Sequence, residues 1–223
     1  MQKLPIFRNN ALLQRALTHS SYTNEHPAFG EDNERLEFLG DAILNFLSGE
    51  FLYKHYPEKP EGELTPLRSA LVDESQLAKF AIALNLGPLM HLGRGAEING
   101  GRENPNLLSS TFEAVIGAYF IDTGSNIEIV RNYVEPLFQA IADTLVDTAA
   151  QINFKSRFQA WALAKVGQNP KYAIIAQSGP DHAREFTAEV RVADQKYGEG
   201  KGHRKQDAEK SAAKQALETL GLL

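Results

Sequence analysis

The chain has 223 residues, a formal charge of −5 from 23 Lys/Arg against 28 Asp/Glu, and 43% hydrophobic content, enough for one large core or two moderate ones. It contains no cysteine, which excludes disulfides, thiolate zinc sites and a cysteine nucleophile, and its six histidines show no HxxxH or HExxH spacing. Any metal it uses is therefore hard and oxygen-ligated, and no apolar run or leader-like N-terminus points to a membrane, so the sequence reads as a cytoplasmic protein.

Taken in chain order, the first 148 residues read as helices separated by short breakers. Asn10 to Leu17 is a short amphipathic helix. Asn33 is placed to N-cap a long helix reaching about Tyr53, with Leu36, Leu39, Ile43, Leu44 and Leu47 on its apolar side, and Pro57 and Pro60 stop it. A helical pattern after Glu61 carries Leu64, Leu67 and Leu71. Beyond Asp73 and Glu74 another carries Leu77, Phe80 and Ile82. Gly87 to Pro105, rich in Gly and Asn, reads as loop, and Leu107 to Ile121 and Ile127 to Leu145 complete an all-α domain over residues 1–148. Residues 149–153, within a stretch (DTAAQIN) that lacks apolar periodicity, read as a linker.

The grammar then changes. Phe154 to Lys165 is helical, Lys171 to Gln177 and Glu185 to Val192 alternate like strands, Lys196 to Glu199 gives a third, and Asp207 to Leu220 is an alanine-rich helix. The order α-β-β-β-α over residues 154–223 predicts an α+β domain with both helices on one face of one sheet. Charge divides the same way: residues 1–150 sum to −9 and residues 151–223 to +4, an acidic half followed by a basic, polyanion-binding half.

The densest chemistry is NERLEFLGD, Asn33 to Asp41. At 100° per residue, Glu34, Glu37 and Asp41 fall within about 60° of one helix face. Three carboxylates on one stripe repel one another and ask for a compensating cation, although acids near a helix N-terminus are also favoured by its dipole and are commonly just solvated. Glu113 sits in a second, otherwise apolar helix (SSTFEAVIGAYF), where a carboxylate needs a partner; a metal shared with the first helix would supply one.

NERLEFLGD, with LTHSSY at Leu17 to Tyr22, EGELTPLRSALV at Glu61 to Val72 and STFEAVIGAYF at Ser110 to Phe120, resembles the ribonuclease III family, and the resemblance runs end to end. It implies a homodimeric, Mg²⁺-dependent endoribonuclease, with Mn²⁺ able to substitute and no small-molecule cofactor. Such an enzyme hydrolyses double-stranded RNA to 5′-phosphate and 3′-hydroxyl ends, in ribosomal RNA processing and RNA turnover. Glu37, Asp41 and Glu113 would contribute to the Mg²⁺ sites, with Asp41 and Glu113 catalytic. Glu34 and Glu61 would be outer acids near the substrate path. Phe38 would be a dimer plug entering a socket on the partner, the alternative being ordinary core packing. Ser110 departs from the pattern, standing where the family usually has an Asp; its hydroxyl can still reach a metal-bound water or ligate weakly. His19 reads as a structural residue in preference to a general base.

The second half is similar to a double-stranded RNA-binding domain. Gln159 matches a minor-groove contact, GPDHAREF (Gly179 to Phe186, with His182) matches the loop reaching the next minor groove, and GEGKGHRKQDAEKSAA matches the turn into the last helix. Lys201, Arg204 and Lys205 gather before and at that helix N-terminus, where dipole and N–H groups also attract phosphate. The rival expectation is a non-cleaving, dimeric RNA-binding protein impaired at Ser110.

Overall fold

The computed structural model describes residues 3–152, 154–180 and 184–223, with the side chains of 147–152 left aside. By its contacts the chain forms two compact units, Met1–Leu145 and Val146–Leu223. Among the described residues no helix is long and apolar enough to cross a membrane.

The first unit is helical: α1 (Asn10–Ala16), α2 (Ser20–Glu25), α3 (Glu34–His55), α4 (Glu61–Leu71), α5 (Glu74–Ala83), α6 (Arg94–Ile98), α7 (Pro105–Asp122) and α8 (Ile127–Ile152) as far as Leu145. Helix α7 is its centre. Leu108, Phe112, Val115 and Ile116 are buried on it, and α1, α3 and α5 pack around it. Helix α3 turns Leu36, Ile43, Leu44, Leu47, Phe51 and Leu52 inward, the stripe its spacing predicts.

Two glycines set the distance between α3 and α7. A Cβ on Gly40 would strike the backbone carbonyl of Glu113, and one on Gly117 would strike the carbonyl of Leu36. The two contacts are reciprocal, so each helix presents bare backbone where the other is closest. Gly40 therefore serves helix packing and is buried.

Local structure departs from the sequence pattern in several places. Asn33 occupies the cap position of α3 but makes no side-chain cap bond; its buried amide instead donates to Ala16 O at 3.2 Å. Asp32 takes over, accepting from Glu34 N–H at 3.2 Å. Asp73 caps α5 by accepting from Gln76 N–H at 2.8 Å. Helix α2 has no apolar period to reveal it; it is started by His19, whose Nδ1 accepts from Ser21 N–H at 3.2 Å. The stretch read as loop, Gly87 to Pro105, contains α6 and two single turns of 3₁₀ helix. Arg102 ties it together, donating to Gly87 O and Met90 O at 2.9 Å each and pairing with Glu97 at 2.7 Å. Residues 149–152, read as linker, continue α8 as helix, in keeping with the helix propensity of Ala149, Ala150 and Gln151.

The second unit holds α9 (Phe154–Val166), β1 (Lys171–Ser178), β2 (Glu185–Val192), β3 (Gln195–Gly202) and α10 (Lys205–Thr219). The strands form one antiparallel sheet in the order β1-β2-β3. Ala188, Val190 and Val192 of β2 point into a core completed by Phe158 and Ala162 of α9 and by Ala208, Ala212, Ala213, Ala216 and Leu217 of α10. Strand β3 is longer than Lys196 to Glu199 because Gly198, Gly200 and Gly202, poor strand formers, carry it on; a Cβ on any of them would strike the α10 backbone. Alternate glycines on the strand and alanines one turn apart on the helix let the two backbones meet.

Candidate functional site

Helix α3 supplies Glu37 and Asp41, and α7 supplies Ser110 and Glu113, one turn apart. The Gly40 contact presses the Glu113 backbone onto α3 between its two acids. The half-buried Glu113 carboxyl is pushed up to about 7 from 4.5, first by burial, then by the negative charge of Asp41 and of Glu37.

Ser110 faces Glu37. Its Oγ donates to Glu37 Oε1 at 2.9 Å across the α3–α7 contact. Asp41, exposed on the helix surface, accepts at Oδ1 from Asn45 Nδ2 at 2.7 Å. Nothing in the sequence pattern had singled out Asn45; its place four residues after an acid on one helix was the available signal. Glu34 and Glu61 are exposed and do not act on Glu113. Glu61 instead accepts from Thr65 Oγ1 at 2.6 Å on its own helix.

Among the described residues no three acids or histidines stand closely enough to hold an ion as they are. The donor set nevertheless fits a hard divalent cation. Every donor is oxygen, one oxygen each of Glu37 and Asp41 accepts no hydrogen bond from a described residue, and both acids act on the half-buried Glu113. Like charges hold such carboxylates apart until a cation screens them.

Phe38 is 79% exposed, so it does not pack in its own core. It opens a stripe that the sequence reading missed: Phe46 and Tyr53 are also exposed, within about 80° of Phe38 on α3. A cleft beside the end of this stripe is lined by Leu52, Tyr53, Tyr56, Pro57 and Leu64 together with the charged Lys54, Lys59, Glu61 and Arg68.

In the second unit Gln159 lies exposed on α9, its amide donating to Asn169 Oδ1 at 3.1 Å. Arg204 and Lys205 are exposed at the start of α10, and among the described residues neither forms an ion pair. Lys201 does not join them. Because Gly200 and Gly202 face α10, strand alternation turns Lys201 to the opposite side of the sheet, where it pairs with Glu185 at 3.0 Å. That face is an ion-pair ladder, with Glu189 pairing Arg191 at 2.7 Å and Lys196 pairing Glu199 at 2.6 Å. His182 lies outside the described residues. Trp161 stacks on Phe158 at 5.5 Å and belongs to the core.

Residues 9–137 match a ribonuclease-III-like family and residues 154–220 the double-stranded RNA binding motif. The chain belongs to the ribonuclease III family. It is 57% identical to Ribonuclease 3 1 of Nostoc sp., covering 99% of this chain and 97% of that protein. With Ribonuclease 3 of Roseiflexus sp. the identity is 46%, covering 96% and 91%. The nuclease domain of ribonuclease III from Campylobacter jejuni, described as flexible in a region involved in dimer formation, matches at 40% identity with a TM-score of 0.56, covering 60% of this chain and 90% of that one. A ribonuclease III helical domain joined to a double-stranded RNA-binding motif makes this chain an endoribonuclease of that family.

Proposed function

We propose that the protein is a divalent-metal-dependent endoribonuclease that hydrolyses phosphodiester bonds in double-stranded RNA to 5′-phosphate and 3′-hydroxyl ends, working as a cytoplasmic homodimer in ribosomal RNA processing and RNA turnover. The observation that carries the reading is the raised Glu113 carboxyl, pushed up first by burial and then by the charges of Asp41 and Glu37 across a glycine-closed helix contact.

Glu37, Asp41 and Glu113 would hold the cation, with Ser110 restraining Glu37. A bound Mg²⁺ or Mn²⁺ supplies acidity to an attacking water and offsets charge developing on the phosphate. The chain's own task is to bring three carboxylates within reach of one cation, which the glycine-closed α3–α7 contact supports. Arg204 and Lys205 would hold phosphates, and Gln159 would lie along the minor groove, giving shape-based duplex recognition. His182, in the loop read as reaching the next minor groove, is proposed on the sequence match alone. Glu34 and Glu61 would line the path of the substrate from outside the ion. The exposed Phe38, Phe46 and Tyr53 stripe supports dimerisation, with Phe38 entering the α3–α4 cleft of a second copy.

A second reading, a dimeric RNA-binding protein without cleavage, is favoured by Ser110, which leaves one carboxylate fewer than the family pattern. Incubating a perfect RNA duplex with Mg²⁺ and with Mn²⁺ separates the two. Short staggered products support the enzyme, and an intact duplex under both metals supports the second reading.

A further inference from the structure

Asn45 follows Asp41 by one turn of α3 and is half-buried. Its side-chain nitrogen donates to Asp41 Oδ1 at 2.7 Å and to the Asp41 main-chain oxygen at 3.0 Å. A main-chain oxygen can only accept, so the NH₂ end of the amide must face Asp41 whatever the protonation of the carboxyl. Mid-helix asparagine is unfavourable because its side chain competes for backbone groups. Here that competition is spent on one residue, the exposed acid of the candidate metal centre.

The chemistry of the donor matters. A Lys or Arg at this position would also hold Asp41, but it would neutralise the charge that attracts a cation. An amide orients the carboxylate and leaves its charge in place. An exposed aspartate otherwise spreads over several rotamers, and collecting them on metal binding costs side-chain entropy.

We infer that Asn45 is a positioning residue for Asp41: by holding Oδ1 it fixes the carboxylate and presents Oδ2, which accepts no hydrogen bond from a described residue, to a divalent cation. This inference rests on the metal-centre reading above. It adds a residue that acts through Asp41 and touches neither ion nor RNA.

The test is a Mn²⁺ titration of the intact, RNA-free protein, followed by electron paramagnetic resonance, alongside thermal unfolding without metal. Asn45→Ala should weaken Mn²⁺ binding by about 10-fold, the low end for outer-shell partners of metal ligands. Its melting temperature should match or exceed wild type, because alanine is the better helix former; a merely structural asparagine would lower it. Asn45→Gln keeps the donor and should bind within about 2-fold of wild type, since Gln and Asp also pair at helical spacing. A wild-type isotherm for Asn45→Ala overturns the inference, as does an Asn45→Gln protein as weak as Asn45→Ala. If wild type binds no Mn²⁺ at all, the metal-centre reading falls with it, a result distinct from either of these.

Discussion

The Ser110 hydroxyl donates to Glu37 Oε1 at 2.9 Å, so the position where the resemblance leads one to expect a carboxylate is joined to the acid it faces. The hydroxyl supplies a hydrogen bond and no negative charge. It adds nothing to the charge available to a cation while restraining one of the ligand candidates. Ser110→Asp should therefore reduce the Mg²⁺ concentration for half-maximal cleavage by about 10-fold, comparable with changes in a metal's surroundings. A metal titration of duplex cleavage reads this directly, and an unchanged midpoint would place the side chain away from the ion.

Gly117→Ala should destabilise the protein by about 1–3 kcal/mol, the usual cost of forcing extra atoms into a packed contact. Its Cβ would meet the Leu36 backbone, which cannot swing aside as a side chain can. Denaturant unfolding measures the loss. Divalent-cation binding should weaken in parallel, because Glu113 would move away from α3.

Metal-free stability should fall as pH rises from about 4.5 to 7. The folded Glu113 pKa of about 7 lies above its ordinary 4.5, so the folded state binds more protons than the unfolded state across that window. Melting temperatures in chelator at pH 5 and pH 8 test the sign. Glu113→Gln should flatten this component, and a divalent cation should restore stability at pH 8 in wild type alone.

Phe38→Ala should shift the protein from dimer toward monomer at micromolar concentration, seen by sedimentation. A side chain 79% exposed contributes little to its own core, so the far-ultraviolet circular dichroism should be unchanged. An undiminished dimer would remove Phe38 from the interface.

Arg204→Ala and Lys205→Ala should each weaken duplex binding and reduce the slope of log affinity against log salt by roughly one unit or less, as expected for a phosphate contact. Lys201→Ala should leave both nearly unchanged, since Lys201 lies on the opposite face of the sheet. Filter binding at several salt concentrations separates the three.

The long helices, the α-β-β-β-α order and the shared face of Glu37 and Asp41 on α3 were legible in the sequence, because periodicity and local spacing place residues on a face of their own element. Within the motifs it already singled out Ser110 as the departure and Glu113 as an acid needing a partner. What the tertiary structure alone decided lies between elements. Gly40 and Gly117 close α3 on α7, Asn33 turns its side chain back to α1, and alternation against α10 sends Lys201 to the far side of the sheet. Each depends on which backbone comes within contact distance of which residue, and that is set by packing across the chain. The acidic stripe thus calls for a compensating charge, and Asn45's hold on Asp41 lies within α3 itself, while the raised Glu113 pKa and Ser110's bond to Glu37 arise only once two helices meet.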